Sequence, residues 1–297
     1  MKTLLVLAIS ALTLATAMGS ARAADLPAKQ DGRVWIDQNF VLAFSPNWSL
    51  TTMPGARVEY ARSREGKAGM QFIELFFGPN YTHKTGNWTF KGSLWYYYMG
   101  YPQRGREVPN KPTTNDCSAA PMGSSPNCTS LYNFSHNLEI IPSVEYRWGR
   151  WSIYDRMIFH NTIYADVYST PTATLSVSDQ RLGWGTVLRE LVQGRFAVND
   201  RLGVSLMDEV FIGIKEDGDT SKIADGKGYL PTGYWKRGFR ANRIYLGIDY
   251  KVAPNFILAP MYMVEIGMNP TDSADITDVA HTFFMVATVT AATFGNK

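Results

Sequence analysis

The sequence predicts an all-β fold: an antiparallel transmembrane β-barrel of about twelve strands, with ten to twelve compatible with the pattern. Three observations predict it. Runs of about 11–16 residues alternate between apolar and polar side chains. The connections between runs alternate between tight turns and long polar loops. The chain opens with an export leader, in which Lys2 precedes an apolar run from Leu4 to Leu14 and small residues lead to Ala21-Arg22-Ala23. That is the layout of a secretory signal peptide with an A-x-A cleavage site, and its apolar run is too short to span a bilayer as a helix. The reading is therefore a signal peptide over residues 1–23, cleaved after Ala23, and one barrel domain over 24–297, exported to the bacterial outer membrane.

Composition agrees with this and excludes other classes. The formal charge is +3, and loss of Lys2 and Arg22 leaves +1, so no basic field exists for nucleic acid. Aromatic residues reach 13% and charged residues 19% of the chain, which is aromatic for a soluble domain and too polar for a helical bundle. No stretch beyond residue 23 offers 18 consecutive apolar residues.

The alternation places strands at residues 34–44, 47–62, 69–80, 87–101, 132–147, 150–165, 183–198, 201–214, 237–251, 254–268 and 279–294. In the second, Trp48, Leu50, Thr52, Pro54, Ala56 and Val58 share one face, and Ser49, Thr51, Arg57 and Glu59 share the other. In the ninth, Ile244, Leu246, Ile248 and Tyr250 oppose Arg243, Tyr245, Gly247 and Asp249. A soluble sandwich uses strands of about 5–6 residues, whereas a tilted membrane strand needs about 9–11. Eleven runs are visible. Bacterial single-chain barrels are even-numbered, so a twelfth strand is expected within 24–33 or 165–182.

Residues 45–47, 148–150, 199–200 and 253–255 read as short periplasmic turns, and 102–130, 166–181, 215–235 and 269–277 as long extracellular loops. Trp35, Trp48, Trp88, Trp148, Trp151, Trp184 and Trp235 fall near strand ends, as interfacial girdles require. Cys117 and Cys128 lie together in the 102–130 loop, and in an oxidising compartment they are expected to form a disulfide. Neither zinc nor c-type haem spacing is present.

The segment Tyr234–Tyr250, which carries Asn242-Arg243-x-x-x-Gly247-x-x-Tyr250, and the following Phe256–Glu265 resemble the late strand pair of a family of small bacterial outer-membrane barrels. Arg57-x-Glu59 and Arg156 in Tyr-Asp-Arg also fit that family's habit of placing Arg and Glu in the lumen. The resemblance implies a barrel in the outer membrane and no established chemistry. The cysteine loop is not part of it.

The polar faces, read as lumen-facing, offer Arg57, Glu59, Glu74, Lys91, Glu139, Glu145, Arg147, Arg156, Arg189, Glu209, Arg243, Asp249 and Glu265 as pore-lining candidates, with Asp37 beside them. Inside a barrel such groups must pair or meet water. Two functions follow. One is a small, weakly selective, porin-like channel for ions or small polar solutes. The other is a barrel plugged by its own side chains, structural or binding ligands and partners through its extracellular loops. An outer-membrane lipid hydrolase comes third. Among His83, His136, His160 and His281, the neighbouring Ser135 and Asn161 point to opposite strand faces from His136 and His160, so no catalytic residue is expected. The loop acids Asp217, Asp219, Asp272, Asp275 and Asp278 read as solvated, so no metal and no cofactor is expected. The expected partners are outer-membrane lipid and small polar solutes or ions.

Overall fold

A computed structural model of the chain describes residues 29–61, 69–109, 128–166, 181–182, 185–215, 238–268 and 276–293. Twelve β segments follow in order. They are β1 (Lys29–Ala43), β2 (Trp48–Ala61), β3 (Gly69–Thr85), β4 (Trp88–Pro109), β5 (Cys128–Trp148), β6 (Trp151–Asp166), β7 (Arg181–Leu182), β8 (Gly185–Ala197), β9 (Leu202–Lys215), β10 (Gly238–Ala253), β11 (Phe256–Met268) and β12 (Ile276–Ala292). The two-residue β7 pairs with Ala165 and Asp166 of β6 in the register in which β8 pairs with Thr162 and residues before it, so β7 and β8 form one stave. The wall therefore has eleven staves. Each pairs with the next in sequence, β5 with β6 included, and β1 pairs with β12 to complete the circuit.

The closing seam departs from expectation. β1 and β12 run parallel, from Lys29 opposite Asp278 to Ala43 opposite Ala292. Every other pairing is antiparallel. Among the described residues, neither 24–33 nor 165–182 supplies a twelfth stave. Residues 29–33 begin β1, and 181–182 extend β8. An even count is needed only if all pairings are antiparallel. A parallel ladder satisfies the two free edges equally well and closes an odd wall.

Short turns gather at one end. Gly86 (φ 55°) and Gly149 (φ 57°) take the left-handed conformation that two-residue hairpins require. The Ser45 Oγ accepts from Trp48 N at 2.9 Å, and Asn199 Oδ1 accepts from Leu202 N at 2.9 Å, holding two further turns. Each turn is stapled to the following hairpin. Thr82 N donates to Asn47 O, Arg147 N to Asn87 O, Ala197 N to Arg150 O, Lys251 N to Arg201 O and Thr290 N to Asn255 O. The seam continues the pattern, with Thr293 N donating to Ala43 O at 2.9 Å.

At the other end, the expected 102–130 loop is shorter. β4 continues to Pro109 and pairs with β5 through Val108 opposite Thr129 and Pro109 opposite Cys128. Cys117 lies outside the described residues, as does the side chain of Cys128, and so does the expected disulfide.

The surface is inverted relative to a soluble protein. Leu206 and Leu246 are 60% and 59% exposed, whereas Glu209 and Met263 on the same staves or next to them are fully buried. Trp48, Trp88, Trp148 and Trp151 stand exposed around the short-turn rim, against Tyr81, Tyr146 and Phe196 at 4.6–5.7 Å between ring centroids. Trp35 does not join that girdle. It points into the lumen and is 4% exposed.

Candidate functional site

Period-2 geometry sends one residue in two into the lumen, and the staggered staves bring their charged inward residues to one level. The result is a belt. On one wall, Asp37 of β1 and Glu74 of β3 stand opposite Gly55 of β2, and Arg57 two residues along binds both carboxylates. Tyr97 of β4 donates its hydroxyl to Glu74 Oε2 at 2.9 Å.

On the other wall, Glu209 of β9 is the hub. Arg189 of β8 donates through Nη2 at 2.8 Å and Nε at 3.2 Å, and Tyr245 of β10 donates its hydroxyl at 2.5 Å. Arg156 of β6 and Arg243 of β10 each approach Glu209 at 3.6 Å. Arg243 also binds Glu265 of β11, which accepts from Arg33 of β1 at 3.0 Å. Arg33 lies 3.5 Å from Asp31 at the upper edge.

Arg189 extends the belt to Glu139 of β5 at 3.6 Å, where His160 Nδ1 lies 2.7 Å away. His160 Nε2 meets Asn137 Oδ1 at 3.2 Å, and Thr162 donates to the same oxygen at 2.9 Å. Trp35 joins the walls, with the Arg57 guanidinium 4.5 Å and the Arg243 guanidinium 5.0 Å from its ring.

Asp37, Glu74, Glu139, Glu209 and Glu265 are thus linked to Arg33, Arg57, Arg156, Arg189 and Arg243, five charges of each sign. Burial of this kind is tolerable only because the charges are paired: Glu74, Glu139, Glu209 and Glu265 each have more than one charged or hydroxyl partner, and Asp37 is held by both terminal nitrogens of Arg57. An apolar cluster spans the same level: Trp35, Leu191, Met207, Tyr245 and Met263, with Tyr154, Met261 and Phe284 against it. Its members come from β1, β11, β10, β9 and β8, with Phe284 of β12 against them, so the cluster runs stave to stave along half of the eleven-stave circuit and fills the lumen on that side.

Of the lining candidates, the structure brings Arg57, Glu74, Glu139, Arg156, Arg189, Glu209, Arg243 and Glu265 together in this belt. Lys91, Glu145 and Asp249 line the lumen nearer the short turns, where Arg195 binds Asp249 at 2.6 and 2.8 Å over the bare Cα of Gly203. Arg147 does not line the lumen body. It sits at the rim, two-thirds exposed, and binds Glu145 at 2.7 Å. Glu59 pairs by backbone with Arg33 and Gly69, and its side chain lies outside the described residues. Arg33, Trp35, Tyr97, His160 and Tyr245 were not singled out as lining residues. Their signal was present, since each shares inward parity with a residue that was: Arg33 and Trp35 with Asp37, His160 with Arg156.

The eleven-stave closed sheet, its apolar exterior and its charged interior define an outer-membrane-type β-barrel. No family model and no curated protein matches the chain. Among solved structures, it is similar to the outer-membrane expressed OmpT of Vibrio cholerae, at 12% identity and a TM-score of 0.30, over 84% of this chain and 92% of that one. It is similar also to the trimer form of in-vitro folded OmpT of Vibrio cholerae, at 13% identity and a TM-score of 0.29, over 84% and 92% of the two chains. Likeness at that level says nothing of activity, and the class rests on this chain's own wall.

Proposed function

We propose that the protein is an outer-membrane barrel whose lumen is closed by its own side chains, and that it acts as a structural or ligand- and partner-binding barrel through its long-loop end. The observation that carries this reading is the buried lumen cluster of Trp35, Leu191, Met207, Tyr245 and Met263, set beside a belt of five acids and five arginines. Barrels of about eight strands fill with side chains and walls of 16–18 strands leave an aqueous channel, and eleven staves lie nearer the first. Outer-membrane residence is supported by the exposed apolar wall and the Trp rim, and export by the leader pattern of residues 1–23. The reading assigns no catalytic step. Both ring nitrogens of His160 are taken, by Glu139 and Asn137.

The competing reading is a small, weakly selective channel for ions or polar solutes. The balanced belt favours it, because a neutral polar lining passes either sign once the side chains part. Planar-bilayer recording of the purified barrel decides between them. Silence across several hundred millivolts, with heat-modifiable gel mobility intact, is expected. Discrete conductance steps that shift on Arg57→Ala, Arg156→Ala or Arg243→Ala would overturn the closed reading.

A further inference from the structure

We propose that Lys91 and Arg156 form a binding site for a small oxyanion on the lumen wall between the belt and the short-turn mouth. Both residues oppose Ser143 in the sheet register, Lys91 from β4 on one side and Arg156 from β6 on the other. All three share the inward parity of Trp95, Ile141 and Ile158. One stave, β5, lies between the cations, and two inter-strand spacings set them about 10 Å apart at the backbone, a gap that a lysine and an arginine side chain close around one tetrahedral anion.

The charges around this point do not balance. Lys91 has no ion-pair partner and no side-chain hydrogen bond among the described residues, and its charged neighbour is a second cation, Arg156. Arg156 Nε is buried with no hydrogen-bond partner. The one carboxylate Arg156 approaches, Glu209 at 3.6 Å, is already held more closely by Arg189 and Tyr245. The other acids on this side are engaged. Glu145 is held by Arg147 through both oxygens at 2.7 and 3.2 Å, and Asp249 by Arg195. The Ser143 hydroxyl donates only a long bond, 3.5 Å, to the Lys91 carbonyl, one that a ligand oxygen can replace.

Two like charges in a narrow, low-dielectric lumen repel strongly unless an anion lies between them. An oxyanion accepts several charge-assisted hydrogen bonds at once, which suits an ammonium, a guanidinium edge and a hydroxyl arranged in a row. The inward position excludes a lipid headgroup. The site lies below the closed belt and goes beyond the plugged reading, because water reaches it from the short-turn mouth whether or not the lumen conducts.

The test is isothermal titration of the purified full-length barrel in detergent with sodium phosphate, against sodium chloride at matched ionic strength. Saturable phosphate binding is expected in the wild type, weakened about tenfold or more in Lys91→Gln, which removes one charge-assisted partner and breaks no ion pair. In Ser143→Asp, a carboxylate set between the two cations is expected to abolish phosphate binding and raise the unfolding midpoint. Absence of saturable binding beyond chloride, or unchanged phosphate affinity in Lys91→Gln, would overturn the proposal. So would a Ser143→Asp barrel that binds phosphate as the wild type does.

Discussion

Asp37 and Glu74 face each other across Gly55 in one register row, and both reach the same guanidinium, that of Arg57. A Cβ at Gly55 would strike the Asp37 carboxylate and lie 2.9 Å from Glu74 Oε1. The bare Cα is what lets two acids share one base.

Gly55→Ala is therefore expected to destabilise the barrel by about 1–3 kcal/mol, as overpacking does. Gly194→Ala, where an added Cβ meets nothing within 4 Å, is expected to be neutral or slightly stabilising. Urea unfolding of both variants in one detergent checks this. Equal losses in the two would contradict it.

Glu209→Ala should leave Arg189, Arg243 and Arg156 around an empty centre, with a loss of about 3–5 kcal/mol. The loss should be smaller in the Glu209→Ala/Arg189→Ala double variant than the sum of the two single losses. A double-mutant cycle on the unfolding midpoints reads the coupling directly.

Three acids break the apolar exterior. Asp155, Glu190 and Asp208 have outward parity on β6, β8 and β9 and repel one another. Asp208 accepts from Asn242 Nδ2 at 2.7 Å. A carboxylate on a lipid-facing wall costs stability, so Glu190→Leu is expected to stabilise the barrel in lipid by about 1 kcal/mol. Unfolding titrations in bilayer vesicles measure this, and a destabilised variant would show that the group is paired there.

The parallel seam sets topology. Lys29 lies at the long-loop end and Ala292 at the short-turn end. With the long loops outside the cell, an epitope placed before Lys29 should bind antibody on intact bacteria, while one after Thr293 should bind only after permeabilisation. Equal labelling of both would be incompatible with the seam.

Much of this was legible in the residues. Ile244, Leu246 and Ile248 stand outward while Arg243, Tyr245 and Asp249 stand inward, as their alternation requires. What could not be read depends on closure or on symmetry of environment. Arg33 meets Glu265 across 232 residues only because the seam closes between them. Trp35 sits between Val34 and Ile36, so apolar character does not mark its face. Residues 106–109 pair with 128–131, but both faces there are polar or interrupted by Pro and Gly, so no alternation marks a strand. Strand direction at the seam leaves no trace in either strand's own pattern.

An odd wall also forbids a manipulation that even barrels permit. Where first and last strands are antiparallel, their free ends lie at the same rim and a few residues can join them, so the chain can be cut and restarted elsewhere. Here a linker from Ala292 to Lys29 would have to travel the length of β1, 15 residues or about 50 Å, through the lumen or the bilayer. Circular permutants of this barrel made with short linkers should fail to close. Eleven staves also cannot be divided into whole hairpins: one is always left over, and the parallel seam is the geometric mark of that remainder.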